Sequence, residues 1–454
     1  MDETRQLAAF CAALKLEDVP ADVVYKAKLC ILDWVANIYG SLKLAAVQSV
    51  VNYCRALGSE AQAHALGCGF STSAHIAAFV NGVLAEAIEA QDGVRFGGNH
   101  PVSAVMPAAF ALAERERSSG REVLEAIIAG YEACCRVAAA MHPYHTLSGF
   151  LPTGTCGTFG AAAAAARLMR LDDEGMLNAL SNSGYLLPLS MAEQLMGGHT
   201  IKIVQGGQAA LAGITAAGLA LSGLTGCPQV LEGTALKGGF TQIALRAEPR
   251  CERITDQLGQ HYAVSDVYFK PYTACRHTHG AAQATLELMR DHHFSANEVQ
   301  KVEVFTYGVA FIAVGKGLTT PTFVAAQFSI PYCVAACLLD GALGPNQLTE
   351  KRIADPELIA LSERVSVAID NELNKVYPDK TASRVEILLK DGEKLVRQVD
   401  TPKGDPRDPM EMADIVAKLK RFAGARDQAA LQRLVDLVMD IEHLPDIDAV
   451  CTTI

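Results

Sequence analysis

The stretch from Glu86 to Pro101, EAIEAQDGVRFGGNHP, sets acids, a cation and an imidazole in one glycine-bearing loop. Such a loop can fold over a pocket and move protons there, because histidine titrates near neutrality; the same mixture also makes an ordinary polar loop. Gly149 to Thr158, GFLPTGTCGT, opens a helix around Thr153. Free backbone N–H groups at that helix start either hold a carboxylate or are simply capped. Gly197 to Val204, GGHTIKIV, leaves a single lysine, Lys202, at the edge of a very apolar run. Its ammonium either reaches back to solvent or is buried where it meets an anion. Tyr268 to Gly280, YFKPYTACRHTHG, gathers a tyrosine, a cysteine, Arg276, His277 and His279 within a few residues. It stands where the chain changes character, and pockets favour such junctions. Ala326 to Ala336, AQFSIPYCVAA, puts a proline into an apolar helical run beside Tyr332. A proline there frees a carbonyl, and the tyrosine hydroxyl points inward or makes one core hydrogen bond.

Other chemistries have no motif to carry them. No glycine-rich phosphate loop follows a strand, and no His-Glu-x-x-His occurs. His142 and His145 are three apart, with a proline between them and no third ligand evident, so no metal site is expected.

The elements that must position these residues follow from composition and periodicity. Half of the 454 residues are hydrophobic, only 20% are charged, and the net charge is −11. That excludes a disordered chain, and the lack of any Lys/Arg run excludes nucleic acid as a partner. The thirteen cysteines are scattered without a CxxC pair and read as reduced, buried small hydrophobes. The start, MDETRQLAAF, lacks the pattern of a signal peptide, so a cytoplasmic enzyme is expected. The uncharged runs Ile203–Leu231 and Gly317–Leu339 are long enough to span a membrane. Gly, Ser, Thr, Gln and Pro dilute both, so they read as buried helices, with no membrane partner. Helix follows helix over residues 1–266. Residues 267–404 then show strand alternation at KVEVFTY and a hairpin signal around Asp391-Gly392. Residues 405–454 turn helical again and are expected to pack back on the first half. The fold class is α+β with segregated layers: a large all-helical domain, interrupted by a smaller α+β lid domain.

Taken together these segments resemble the MmgE/PrpD family. The resemblance rests on LDWVANIYG, DGVRFGGNHP, GYEACCRVAAA, LPTGTCGTFGAAAAAARLMRL, IKIVQGGQAALAGITAA, GLTGCPQVLEG, FKPYTACRHTH and AAQFSIPYCVAACLLDG, in that order along nearly the whole chain. The family includes 2-methylcitrate dehydratases, cis-aconitate decarboxylases and iminodisuccinate epimerases. The resemblance implies a helical domain with an inserted lid, a pocket between them, no metal or organic cofactor, and a homodimer. It implies Asp92, His100, Lys202, His279 and Tyr332 as catalytic positions. Two departures stand out. Glu86, Glu89 and Gln91 occupy positions where many relatives have histidine or aspartate, and Leu151 replaces a histidine that belongs to the active site of cis-aconitate decarboxylase.

The chemistry implied is proton movement at a carbon next to a carboxylate. Ionising such a C–H adds charge beside an anion, so cations around the carboxylates and a placed base are required. Lys202, Arg276 and Arg95 are the candidate cations, with Thr153 and His277 as further substrate contacts. His100, His279 and Asp92 are the candidate bases, and Tyr332 can return a proton. The expected function is a cofactor-independent lyase of the 2-methylcitrate dehydratase type, acting on a small anionic hydroxy di- or tricarboxylate. An epimerase or isomerase of a polycarboxylate is the alternative. A decarboxylase, or a binding homologue without activity, is further off.

Overall fold

Alanine and glycine decide how closely the helices of the first half approach. The computed structural model describes residues 2–318 and 320–454. These are 59% helical, with 9% in strands confined to small sheets, which makes a mostly helical α+β protein. The helix Pro152–Leu168 lies at the centre and packs against Val102–Glu116, Gly120–Met141, Asp173–Leu186 and Gln205–Leu221. Its run Ala161–Ala166 is buried throughout. A Cβ placed on Gly82 would stand 2.5 Å from the Cα of Gly207, so the helices Ala74–Glu86 and Gln205–Leu221 touch backbone to backbone. Any larger side chain there would drive them apart.

The two uncharged runs are accounted for differently. Thr200–Leu221 is long and apolar enough to cross a membrane, but 61% of that window is buried inside the helical assembly. In the second run Thr319 lies outside the described residues, and the rest forms the helices Phe323–Gln327 and Ile330–Asp340. Pro331 falls in the first turn of the latter, where a missing N–H leaves no carbonyl unpaired. The carbonyl expected to be freed by this proline is therefore not freed. None of the cysteines is in a disulfide.

The second half carries a four-stranded sheet in the order Val365–Ile369, Val299–Thr306, Ser383–Leu389, Lys394–Val399. The first pair is parallel and the others antiparallel. Val385, Ile387 and Leu389 alternate inward, as a sheet with one covered face requires. The helix His279–His292 packs on this sheet and on Ile330–Asp340. The C-terminal helices Met412–Ala423 and Gln428–Met439 then pack against Ala21–Ser41. A buried ion pair ties that return: Lys418 Nζ lies 2.6 Å from Asp33 Oδ1.

Two short contacts bring the chemistry-bearing segments together. Gly93 and Val94 pair antiparallel with Tyr268 and Val267, so the first loop is stitched to the junction segment. Gly93 must be glycine, because a Cβ there would run into the Tyr268 ring and His100.

Candidate functional site

Past the C-terminal end of the helix Ala74–Glu86 the turn leaves carbonyls without backbone partners. Side chains from three later segments satisfy them. Gln327 Nε2 donates to the Ala87 carbonyl at 2.8 Å, Lys270 Nζ to that of Glu89 at 3.2 Å, and Lys418 Nζ to that of Ala90 at 2.6 Å. Glu89 itself sits at φ 53°, a left-handed conformation uncommon for a residue with a side chain. The turn is thus held from outside, and it aims the Glu89 carboxylate into the protein.

That carboxylate is the hub of a buried charge cluster. Lys270 Nζ donates to Glu89 Oε1 at 2.7 Å, and Lys202 Nζ donates to Glu89 Oε2. Lys202 also pairs with Glu86 Oε1 at 2.7 Å. Gln205 Nε2 donates to the same Glu86 oxygen at 2.7 Å, while Glu86 Oε2 is buried with no partner among the described residues. Burial pulls the Lys202 ammonium toward neutrality, but Glu86 and Glu89 outweigh it and hold its pKa above the usual lysine value. For Glu89, burial favours the acid, but Lys202, Lys270 and His100 together hold the carboxylate well below its ordinary range. Each ammonium has three N–H donors and two are engaged here, so each keeps one free among the described residues. Lys202 therefore does not reach back to solvent.

His100 faces this cluster. Its Nε2 lies 3.7 Å from Glu89 Oε1, and its Nδ1 is 2.5 Å from the Asp92 carbonyl. A carbonyl only accepts, so Nδ1 carries the hydrogen and Nε2 presents a lone pair. The His100 N–H donates to Thr153 Oγ1 at 3.1 Å, which fixes the loop to the start of the Pro152–Leu168 helix. Burial, then the Lys270 charge, depress the imidazole to about 4. It is neutral at pH 7.

Asp92 acts at one remove. Its Oδ2 accepts from the Tyr131 hydroxyl at 2.7 Å and its Oδ1 from the Val102 N–H at 3.2 Å. Burial pushes this carboxyl up to about 7. It caps the helix Val102–Glu116 and orients His100 through its backbone carbonyl, while its carboxylate makes no ion pair among the described residues.

The remaining expected residues divide. His277 belongs with the cluster: its Nδ1 is 2.5 Å from the Tyr307 hydroxyl, and burial, Lys270 and Arg276 bring it down to about 4. Arg276 lies over the Tyr268 ring, 5.0 Å from its centroid, and donates to the carbonyls of Lys403 at 2.8 Å and Pro402 at 2.6 Å. His279 is fully buried, with Nε2 3.1 Å from the Ala274 carbonyl and Nδ1 3.5 Å from Arg276. Both ring nitrogens are engaged, and none reaches the lysines. Tyr332 is turned elsewhere, its hydroxyl donating to the Gln347 carbonyl. Arg95 bridges from the first loop to the carbonyls of Pro378 and Asp379. Leu151 makes a main-chain contact, its N–H donating to Ser190 at 2.7 Å.

Sequence reasoning did not single out Lys270, nor Glu86 and Glu89 as the counterions of the two lysines. The available signal was a lysine between Phe269 and Pro271 in the densest motif. His142 is largely buried, with Nδ1 unpartnered among the described residues and its pKa brought to about 4 by burial and then Arg250. Among the described residues no group of His, Cys, Asp and Glu is arranged to hold a metal ion.

Comparison with known proteins places both halves of the chain in one family. The model of the MmgE/PrpD N-terminal domain matches residues 5–251, and that of the MmgE/PrpD C-terminal domain matches residues 272–441. A cis-aconitate decarboxylase of Aspergillus terreus is 26% identical, covering 98% of this chain and 94% of that protein. The cis-aconitate decarboxylase of Homo sapiens is 28% identical over 83% of this chain and 78% of its own length. A cis-aconitate decarboxylase-like protein of Aspergillus oryzae is 26% identical over 98% of this chain and 95% of its own.

Proposed function

The chain belongs to the MmgE/PrpD family, and on that premise we propose that it is a cofactor-independent lyase of the 2-methylcitrate dehydratase type, acting on a small hydroxy di- or tricarboxylic acid. One observation carries the reading: His100, locked with Nδ1 protonated, presents Nε2 3.7 Å from the Glu89 carboxylate shared by two ammonium groups that each keep a free donor.

In this reading Lys202 and Lys270 hold the carboxylate next to the reacting carbon and stabilise the enediolate-like charge that develops on it. Nε2 of His100 takes the proton from that carbon. The electron pair of the broken C–H bond becomes the carbon–carbon double bond, the C–O bond on the neighbouring carbon breaks, and hydroxide leaves as water with a proton from one of the lysines. The proton on His100 then restores that lysine. An incoming carboxylate offsets the Lys270 charge that depresses His100, and so raises the imidazole toward a useful base strength. Leu151, in place of a histidine, supports dehydration over the decarboxylation for which the curated relatives are named. Cytoplasmic location and a homodimeric assembly complete the proposal.

The test is incubation with citrate, 2-methylcitrate, malate and iminodisuccinate in D2O. Deuterium exchange with a new alkene absorbance is the expected result. Exchange with altered optical rotation and no alkene would assign an epimerase, and carbon dioxide release a decarboxylase. Binding without any exchange would make the protein a non-catalytic homologue.

A further inference from the structure

A cavity of about 800 Å³ opens where the helices Ala21–Ser41 and Met412–Ala423 meet the turn after Ile330–Asp340. None of Glu86, Glu89, His100, Lys202 or Lys270 lines it. It adjoins the segments that carry them from the other side. Ile88, the residue before Glu89, packs on Gly40 in the cavity wall, where an added Cβ would meet its Cδ1 at 2.6 Å. Tyr272, two residues after Lys270, lines the cavity directly, and its ring stands edge-on to His279 with 5.2 Å between centroids. Two further contacts tie this segment to the cavity. Arg421 Nη2 donates to the Pro271 carbonyl at 2.5 Å, and the Thr273 N–H to the Leu343 carbonyl at 3.3 Å.

The lining is amphipathic. Tyr39, Leu44, Tyr272, Leu286, Leu343 and Phe422 give apolar walls, as a site for an organic molecule requires. Lys43 and Arg421 add two positive charges, and neither is paired with a carboxylate among the described residues. Arg421 uses one of its five N–H donors on Pro271. A third cation, Arg426, lies over the Tyr39 ring and donates to the Ile454 main-chain oxygen at 3.2 Å. Among the described lining residues the one carboxylate is Asp340, and Arg352 holds both its oxygens, at 2.7 and 3.1 Å.

We infer that this cavity binds a small organic phosphate, a monoester with an apolar body, and that its occupation steadies the segment bearing Lys270. A phosphate monoester carries about 1.5 to 2 negative charges at pH 7 on one compact group, which suits two cations on one wall. The Arg421 guanidinium offers the planar fork that takes phosphate oxygens two at a time, and Lys43 adds a point charge. The apolar body covers the aromatic walls. Arg421 has donors enough to hold the phosphate and the Pro271 carbonyl together. A bound ligand therefore fixes the guanidinium against which that carbonyl, one residue from Lys270, is held. Such coupling is reciprocal, so a ligand that settles Lys270 also tightens phosphate binding. The inference is independent of the dehydratase reading, because it concerns a separate cavity.

Phenyl phosphate is the probe. Calorimetric titration of the full-length protein is expected to give a Kd below about 1 mM. Inorganic phosphate, phenol and benzoate are each expected to bind at least about tenfold more weakly, lacking the body, the charge or the second charge. Lys43 and Arg421 are at exposed positions, so Lys43→Gln and Arg421→Gln should fold. Each should weaken phenyl phosphate by about tenfold. Lys43 makes no contact with the Lys270 segment, so its effect locates the ligand. Hydrogen exchange over residues 268–278 should slow when phenyl phosphate is bound, by about threefold at the Thr273 N–H. Absence of phenyl phosphate binding overturns the inference, as does benzoate binding equally well or wild-type affinity in both variants. Binding that leaves exchange over 268–278 unchanged overturns the coupling.

Discussion

Lys270 holds Glu89 twice, by the side-chain carboxylate at 2.7 Å and by the backbone carbonyl at 3.2 Å. It therefore sets both the charge and the left-handed turn of the residue at the centre of the site. Lys270→Met would leave the buried Glu89 with half its counterions and its carbonyl unpaired. Removing one partner of a buried pair typically lowers stability by about 3–5 kcal/mol. Urea unfolding should show that loss, together with abolished deuterium exchange. A variant with wild-type stability would refute the twofold role.

His100→Gln keeps a donor for the Asp92 carbonyl but has no imidazole lone pair. As a general base, His100 should account for about a hundredfold or more of the rate. The steady-state assay should show kcat falling by that factor while KM moves little. A loss below about threefold would remove His100 from the chemistry.

Tyr332→Phe deletes a hydroxyl whose partner is the Gln347 carbonyl. A lost buried hydrogen bond lowers stability by about 1 kcal/mol. The expected outcome is a lower unfolding midpoint with kcat within about threefold of wild type. A collapse of kcat at unchanged stability would return Tyr332 to the catalytic group implied by the family resemblance.

The pH dependence of stability has opposing parts. His100, His277 and His142 have folded values near 4 against an ordinary 6.5, so the unfolded chain binds more protons between those limits. Their contribution is lost as pH falls from about 6.5 toward 4. Asp92 has the opposite sign: raised from 3.8 to about 7, it contributes stability at low pH that is lost as pH rises through 7. Asp92→Asn should therefore make stability rise more steeply from pH 4.5 to 6.5, by about 1.4 kcal/mol per pH unit, one proton's worth. Urea midpoints at three pH values measure it, and parallel curves for variant and wild type would contradict the assignment.

What the sequence disclosed tracks how local each interaction is. The hairpin Ser383–Leu389 and Lys394–Val399 was legible because its alternation and Asp391-Gly392 turn are contiguous. Val365–Ile369 was not, since its surface is largely exposed and its partner lies about sixty residues earlier in a parallel pairing. Lys202 and His100 stood out by their motifs. Their shared neighbour Lys270 did not, because its meaning depends on Glu89, a residue from the other half of the chain. For His279 and Tyr332 the motif was visible and the direction of the side chain was not. Main-chain carbonyls of Ala274 and Gln347 decide that direction, and no side-chain pattern announces a carbonyl.

The carbonyls of Ala87, Glu89 and Ala90 are held by Gln327, Lys270 and Lys418, contributed by successively placed stretches of the chain. During synthesis the helix Ala74–Glu86 emerges long before Lys418 does. A growing polypeptide can already contain His100 and Lys202, and even Lys270, yet the turn bearing Glu89 still awaits its last clamp. The turn that bears Glu89 is thus completed only once the stretch carrying Lys418 has been made.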